Sequence, residues 1–371
     1  MGDNTVVTGN DASTDVSTDQ SIPVDSGSDT TTDATDAQSD VVDAAKINEL
    51  YLVASTGGMT PTTSIEVIDL AQGKAVRDQQ FSGIVALAYS AGSLYVVRGQ
   101  GQQRISVVDP VALTVTSTIT LAWDPTGAVF SADGTVVYLT RGAGYIEQVK
   151  LPAGSLTGEI QVPAPSGEGG TAQPLGIALN HAQTQLGVTN DFDQACVATV
   201  NIAGTTLSVG SNIIPPAIVN SNCLRQNDQL AFSVDDARLA TWDTNCGTID
   251  VYNTADLSRD ATASAQYTRP SGSALGSIIY DNIANVWAVN VDTLYRAPTA
   301  GGSTSYVTTA NTWALLTTDV PFTTLWAIAY DPHNDGIFTV DPTTATTTRE
   351  LWDLSLIPSS ANITHAIYVS R

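Results

Sequence analysis

Residues 124–160 read DPTGAVFSADGTVVYLTRGAGYIEQVKLPAGSLTGEI, and this stretch decides the fold. Its apolar residues fall into four short runs that begin at Ala128, Val136, Tyr145 and Leu156, and the sequence Ala-Asp-Gly at 132–134 is typical of a turn between strands. The pattern therefore predicts a four-stranded antiparallel sheet. Because one such sheet cannot bury both of its faces, it has to pack against further sheets of the same kind.

Copies of this unit recur along the chain, and the third strand repeats most clearly. The copies are SIEVIDL (64–70), RISVVDP (104–110), YIEQVKL (145–151), CVATVNI (196–202), TIDVYNT (248–254), TLYRAPT (293–299) and GIFTVDP (336–342). Their leading apolar residues lie 40 to 52 residues apart, which is the size of a propeller blade. The sequence thus predicts an all-β fold, a seven-bladed β-propeller of four-stranded antiparallel blades that spans residues 46–371.

The number of strands also predicts how the ring closes. The chain enters at the second strand of the first unit, residues 49–55, and it ends with one unpaired strand, Ile363 to Val369. This C-terminal strand should join blade 1 as its innermost strand. Such a closure connects the two ends of the ring and removes an exposed sheet edge.

Two further positions repeat in the units. An aromatic residue at one place in the second strand favours packing between neighbouring blades over a platform for a ligand. The aromatic residues are Tyr51, Tyr95, Tyr138, Trp287 and Trp326. A short polar residue at the end of the third strand favours a turn, because its side chain can accept a backbone hydrogen bond. These polar residues are Asp69, Asp109, Asn201, Asn253 and Asp341.

The segment FSADGTVVYLTR at 130–141 resembles the repeat of YVTN-type propellers, a group that includes lactonase-like enzymes and bacterial surface proteins. The resemblance covers one blade strongly and four or five blades weakly. It implies the same architecture and indicates little about activity, because propellers carry unrelated activities on one scaffold. No G-x-S-x-G nucleophile elbow occurs, and no metal or acid/base motif of the lactonase group matches this sequence by position.

The charge of the chain limits its partners. The 37 acidic residues exceed the 14 basic ones, and the formal net charge is −23, which argues against nucleic acid as a partner. Ten of the acidic residues are Asp in residues 1–45, a segment without Glu, Lys or Arg. Such a segment buries too little apolar surface to offset the entropy of ordering it, so the sequence predicts a disordered acidic tether.

The N-terminal region bears on the location of the protein. No apolar run approaches the roughly 20 residues that span a bilayer, so no transmembrane segment is expected. Met1-Gly2-Asp3 begins without the basic and apolar regions of a signal peptide. The acidic segment resembles the linker that follows the lipidated cysteine of bacterial surface lipoproteins, with Met1 at the place of that cysteine. This resemblance implies a lipid anchor at the N-terminus and a location at the bacterial cell surface or in the periplasm.

Three cysteines fall on the same predicted face of the ring. The preferred interpretation is a disulfide between Cys223 and Cys246, which both flank blade 5, and a Cys196–Cys223 bridge is the second choice. The remaining alternative is three buried thiols in a cytosolic protein. A disulfide, together with the acidic segment and the scarcity of lysine, favours an extracytoplasmic location.

One face of a propeller collects the links from the second to the third strand of each blade and from the fourth strand to the next blade. We call it the link face. In blades 2 and 3 its links hold Arg98, Arg104 and Arg141, with Trp123 and Asp124 beside them, and the links GQGQQ and GAG contain no carboxylate. Such a group could hold a carboxylate or an acidic sugar through paired hydrogen bonds and stacking. The alternative is that these are solvated turn residues paired with nearby acids.

Acidic residues dominate the link face in blades 4 to 7. A calcium site is one interpretation if their turns converge, and solvated turns are the other. The candidate ligands are Asp191, Asp193, Asp331, His333 and Asp335. No other cofactor is expected. His365 lies in the closing strand, where it either faces the central tunnel or is a hydrogen-bonded core residue.

The sequence is compatible with two functions. The sequence favours a non-catalytic binding or scaffold propeller, displayed on or secreted from a bacterial cell, whose link face takes an anionic glycan or a protein. The alternative is a secreted lactonase-like hydrolase. Catalysis is supported by likeness of fold alone, so the binding function is preferred.

Overall fold

A computed structural model of the chain describes most of the predicted propeller. The described residues are 47–56, 63–164, 173–191, 195–215, 227–243, 248–266, 277–283, 285–290, 293–298, 305–308, 313–318, 324–329, 336–344, 346–349 and 361–371. The predicted acidic tether, residues 1–45, lies outside them and stays a prediction. Within the described ranges, no helix has the length and apolar character that crossing a bilayer requires.

The described chain is built almost wholly of strands. The strands of its first part are β1 (Asn48–Thr56), β2 (Thr63–Asp69), β3 (Lys74–Phe81), β4 (Ile84–Ser90), β5 (Ser93–Arg98), β6 (Arg104–Val108), β7 (Val115–Thr120), β8 (Pro125–Phe130), β9 (Val136–Arg141), β10 (Tyr145–Lys150), β11 (Ser155–Gln161), β12 (Gln173–Leu179), β13 (Gln185–Asp191), β14 (Ala195–Ala203) and β15 (Thr206–Ile213). One short 3-10 turn, Gly142–Gly144, joins β9 to β10.

The remaining strands continue the same repeat. They are β16 (Asn227–Phe232), β17 (Arg238–Asp243), β18 (Thr248–Asn253), β19 (Ala265–Gln266), β20 (Ser277–Tyr280), β21 (Asn285–Asn290), β22 (Thr293–Pro298), β23 (Ser305–Thr308), β24 (Trp313–Thr318), β25 (Leu325–Ala329), β26 (Gly336–Val340), β27 (Thr347–Arg349) and β28 (Ala361–Ser370).

These strands form seven four-stranded antiparallel sheets. Blade 1 has the order β28-β1-β2-β3, and each later blade takes the next four strands in chain order, from β4–β7 in blade 2 to β24–β27 in blade 7. The innermost strands contact one another around a closed ring, since β28 touches both β4 and β24. The predicted seven-bladed propeller and its closure by the C-terminal strand are confirmed.

The repeated aromatic residues pack between blades, as the sequence predicts. All five are buried, and Tyr51 of blade 1 shares a hydrophobic cluster with Leu87 and Leu94 of blade 2. Trp326 of blade 7 packs in the same way against Leu50 of blade 1. Each blade thus buries one face against the next, which a single sheet could not do alone.

A β-bulge recurs where the innermost strands begin. In the described ladders the pairing of innermost and second strand shifts by one residue near this end in six of the seven blades. The extra residues include Val85, Thr126 and Thr364. Because bulges re-aim side chains, this recurring irregularity shapes the centre of the link face.

Candidate functional site

Two arginines lie side by side on the link face of blade 2. Arg98 is the last residue of β5 and Arg104 is the first of β6, and the antiparallel ladder places them directly opposite each other. Both guanidinium groups donate to the same oxygen, Oε1 of Gln102, at 3.3 Å from Arg98 and 2.8 Å from Arg104. The structure thus brings these two predicted site residues together, and we call them the arginine pair.

The acceptors around the arginine pair are uncharged. Arg98 donates to the carbonyl oxygen of Ser82 at 2.8 Å and to the hydroxyl of the same residue, and Arg104 donates to the carbonyl oxygen of Gln102 at 3.1 Å. No ion pair with a carboxylate joins either arginine in the part of the chain that the structure describes. Burial and the neighbouring charge of Arg104 lower the pKa of Arg98. Among the described residues, the site therefore carries two like charges at close range that no carboxylate contacts directly.

Blade 3 shows a compensated arginine at the equivalent place, since Arg141 ends β9 as Arg98 ends β5. Its Nε donates to Glu147 at 2.7 Å and its Nη2 to Glu159 at 3.0 Å. Burial alone lowers the pKa of Arg141, but these hydrogen bonds outweigh burial and raise it. The link GAG holds no carboxylate, but Glu147 of β10 and Glu159 of β11 supply two, so Arg141 fits the alternative of a turn residue paired with nearby acids.

The ladders explain why blade 2 lacks such partners. In blade 3, Glu147 and Glu159 face each other across β10 and β11. The corresponding residues of blade 2, which face each other across β6 and β7, are Ser106 and Thr118. Two hydroxyls thus stand where the neighbouring blade has two carboxylates, and the charge of Arg98 stays uncompensated.

Trp123 and Asp124 connect the two blades on the link face. The guanidinium carbon of Arg141 lies 4.8 Å from the ring centre of Trp123. Both carboxylate oxygens of Asp124 accept from the backbone N–H of Gly101, at 2.9 and 2.8 Å. A Cβ on Gly99 would lie 2.3 Å from the carbonyl oxygen of Pro125, so only glycine permits this close approach. Asp124 therefore fixes the link of the arginine pair.

A central cavity of about 310 Å³ opens beside the arginine pair. Among the described residues, its polar lining comes from Ser55, Thr63, Gln100, Thr126, Gln229, Thr364 and His365. Gln100 belongs to the link that joins Arg98 to Arg104, so this link connects the lining of the cavity to the arginine pair. The bulge residues Val85 and Thr126 also line the cavity, and no pattern in the sequence indicates these bulges.

His365 combines features of its two predicted positions, because it lines this cavity and is also partly buried and hydrogen-bonded. Its Nδ1 lies 3.1 Å from Oγ1 of Thr364. Burial lowers the pKa of His365 below its ordinary 6.5, and a hydrogen bond with the backbone of Val85 opposes this only in part. Among the described residues that line the cavity, no other side chain is ionisable.

We expect this histidine to make the propeller less stable as the pH falls below 6.5. Because its pKa is lower in the folded state, the unfolded chain binds the proton more readily, and the free energy of unfolding drops on acidification from 6.5 downwards. Urea unfolding of the wild type and of His365→Gln between about pH 7.5 and about pH 5 checks this, and the variant should show the smaller slope.

The aspartates do not obscure that comparison. Hydrogen bonds from Ala112 and Val111 lower the pKa of Asp109, and bonds from Ser131 and Thr135 lower that of Asp133, so both destabilise the fold only near and below 3.8. Equal slopes in the wild type and the variant would contradict the expected effect of His365.

Most of the other predicted site residues lie outside the described residues. This applies to Asp193, Asp331, His333 and Asp335, and for Asp191 the structure describes only its place at the end of β13. The calcium prediction is therefore not tested. Cys223 and Cys246 also lie outside the described residues, so the disulfide stays a prediction, whereas Cys196 is buried in β14.

A second cavity of about 350 Å³ lies at the opposite face, on blade 5. Its arginines already bind carboxylates of their own blade. Arg238 lies 3.5 Å from Asp260, and Arg259 lies 2.6 Å from the buried Asp250. The sequence singled out none of these residues, and their charges are balanced internally, in contrast to the arginine pair.

Comparison with known proteins shows the fold. No family model matches this sequence, and no curated protein is similar to it in sequence. Solved structures that resemble it include a "putative 6-phosphogluconolactonase" from Bacteroides fragilis, with TM-score 0.61, 14% identity, and coverage of 88% of this chain and 98% of the other. Membership in the YVTN-type family stays a prediction.

Two further similar structures have different names. The dihydro-heme d1 dehydrogenase NirN in complex with DHE has TM-score 0.56 and 14% identity over 81% of this chain, which spans only 63% of the NirN chain. Apo AztD from Citrobacter koseri has TM-score 0.55 and 10% identity, with coverage of 88% of this chain and 98% of the other. Identities this low establish a shared propeller fold and no shared activity.

Proposed function

We propose that this protein is a binding propeller whose link face takes a ligand with a carboxylate or similar anionic group at the arginine pair. The observation that supports the proposal is the uncompensated charge of Arg98 and Arg104 in a chain of net charge −23. Like charges placed directly opposite in a sheet destabilise it. A bound anion removes this repulsion and accepts several of the remaining guanidinium donors, so ligand binding and charge balance favour the same arrangement.

The first test removes the two charges. Calorimetric titration with tricarballylate, a small tricarboxylate, should show binding by the wild type that weakens with salt. Arg98→Ala/Arg104→Ala should reduce the affinity by about tenfold or more, because each charged hydrogen bond contributes about 1.5–3 kcal/mol. Lysines at both positions should not restore it fully, because lysine lacks the forked geometry of arginine.

The matched control removes the same charge from elsewhere. Lys74 and Lys150 are both exposed and lie at the opposite face, where β2 meets β3 and β10 meets β11. Lys74→Ala/Lys150→Ala should keep the wild-type affinity apart from a small long-range effect. Equal affinities in the arginine variant and the wild type would overturn the proposal.

A second test supplies the missing carboxylate. Thr118 is exposed and occupies the place from which Glu159 reaches Arg141 in blade 3. Thr118→Glu should therefore pair with Arg98 and weaken tricarballylate binding while the fold is kept. Ser117→Glu is the control, since it adds the same charge at an exposed neighbouring position that points to the other side of the sheet.

The family and the cellular location of the protein are also proposals. We infer that the propeller belongs to the YVTN-type group and is held outside a bacterial cell by the acidic residues 1–45. The composition of that segment supports the inference, since its ten Asp and absence of Lys and Arg suit a solvated tether. The alternative, a lactonase-like hydrolase, is supported only by similarity of fold.

A further inference from the structure

Trp123 is the feature of the link face that the proposed function leaves unused. Its side chain is 55% exposed although one of its faces lies against Arg141. That arginine is itself fixed, because it pairs with two carboxylates and lies 3.9 Å from the ring centre of Tyr145. The charge of Arg141 is thus already balanced, and what this arginine does for the site is to hold the indole in place.

The indole is also fixed relative to the arginine pair. The residue after Trp123 is Asp124, whose carboxylate binds the backbone of Gly101 in the link between Arg98 and Arg104. The aromatic surface and the arginine pair are therefore joined through one hydrogen-bonded link. A rigid aromatic ring offers a large contact area at a low entropic cost, which is the property of a preorganised binding platform.

The surroundings of the indole decide what kind of ligand it suits. The other large apolar side chains that are exposed among the described residues lie near the ends of strands at the opposite face. These are Ile47, Val111, Val115, Leu156, Val234 and Ile283. Trp123 thus stands without an apolar patch around it on the described link face. A protein partner needs a patch of roughly 800 Å² with an apolar core, and the described part of the link face shows no such patch around Trp123.

A sugar ring fits this environment. One face of a pyranose carries C–H groups that pack on an aromatic ring, and its edge carries hydroxyls that need hydrogen-bonding partners. The side chains of Gln100 and Gln103 are exposed in the link beside Trp123, and both offer a carboxamide donor and acceptor. The hydroxyl-lined central cavity continues this polar surface beyond Gln100.

We propose that the ligand is a short acidic oligosaccharide, with one sugar ring stacked on Trp123 and a uronate carboxylate bound by Arg98 and Arg104. This inference rests on the proposed function for its anionic contact and adds the sugar class to it. Anion binding requires only the arginine pair, whereas saccharide binding requires the indole as well. Substitution of Trp123 therefore tests saccharide binding separately from anion binding in one experiment.

The experiment titrates the full chain with three probes: trigalacturonate, tricarballylate and the neutral maltotriose. Wild type should bind trigalacturonate about tenfold more tightly than tricarballylate and should not bind maltotriose detectably. Trp123→Ala should remove the advantage of trigalacturonate and leave tricarballylate unchanged, and Trp123→Phe should keep part of it. Leu156→Ala, which trims an exposed apolar residue at the opposite face, serves as the control and should change nothing.

Each outcome has a distinct meaning. Equal affinities for trigalacturonate and tricarballylate, unaffected by Trp123→Ala, overturn the saccharide inference and leave the proposed function intact. Failure of tricarballylate to bind overturns the proposed function itself. Binding of a polyglutamate peptide that depends on Trp123, with no binding of trigalacturonate, assigns the surface to a protein partner and overturns the inference. Because Trp123→Ala also removes one contact of Arg141, the melting temperature of each variant is measured beside its affinity.

Discussion

A chain that lacks residues 363–371 is expected to stay unfolded or to aggregate. The deletion removes nearly all of β28, which pairs with β1 along its whole length, from Asn48–Ser370 to Thr56–Ala361. It also takes Ile363 from the cluster around Leu50 and Trp326, and Val369 from the cluster around Tyr51. Blade 1 then loses the contacts that its innermost strand makes with β4 and β24 of the neighbouring blades, and β1 becomes an exposed sheet edge.

Solubility and thermal unfolding followed by circular dichroism measure this effect. A soluble deletion variant that melts cooperatively would show that the ring closes in another way. The control is a chain without residues 2–45, which should melt within about 2 °C of the full chain, because its acidic composition offers no apolar face to dock. A comparable loss in both truncations would point to a general sensitivity to the chain ends.

The fold could be predicted because it repeats. Seven third strands at blade-sized spacing define the ring, and the single strand left over at the C-terminus defines its closure. The short polar residues at the ends of the third strands show which turns can be predicted from local sequence. Asp69, Asp109, Asn253 and Asp341 accept backbone N–H bonds two residues on, as predicted. Asn201 does not, since β14 continues past it to Ala203 and its oxygen accepts from the side chain of Gln185 instead.

The candidate site was harder to predict because its charges are balanced across strands. The links of blades 2 and 3 both carry an arginine and lack a carboxylate, so in sequence Arg98 and Arg141 are equivalent. Their difference lies in Ser106 and Glu147, which stand in the strands after the links and become neighbours of the arginines only through the ladder register. Comparing blades position by position, rather than motif by motif, is the signal that distinguishes these two arginines.

The largest effect of a single substitution is expected at Glu49. This carboxylate is 1% exposed at the start of β1 and pairs with Arg77 of β3 and with Arg371 after β28, the latter at 3.2 Å. It also accepts the hydroxyl of Tyr51 at 2.9 Å. Burial, and next this hydrogen bond, raise the pKa of Tyr51 to about 12. One carboxylate thus connects the inner, second and outer strands of the blade where the ring closes.

Glu49→Ala should lower the free energy of unfolding by about 2–3 kcal/mol, measured by urea unfolding at neutral pH. Removing one member of a buried ion pair costs about 3–5 kcal/mol, because its partner stays buried and uncompensated. The lower value is expected because the side chains of Arg77 and Arg371 are 25% and 19% exposed, so water reaches them in part.

Tyr51→Phe is the control for that substitution, since it removes only one hydrogen bond and should cost about 1 kcal/mol. In the double variant Glu49→Ala/Arg371→Ala, the second change should cost much less than it does alone, because the two residues share one interaction. Strict additivity, or a loss below about 0.5 kcal/mol for Glu49→Ala, would mean that the ladder of β1 and β28 closes the ring without help from these charges.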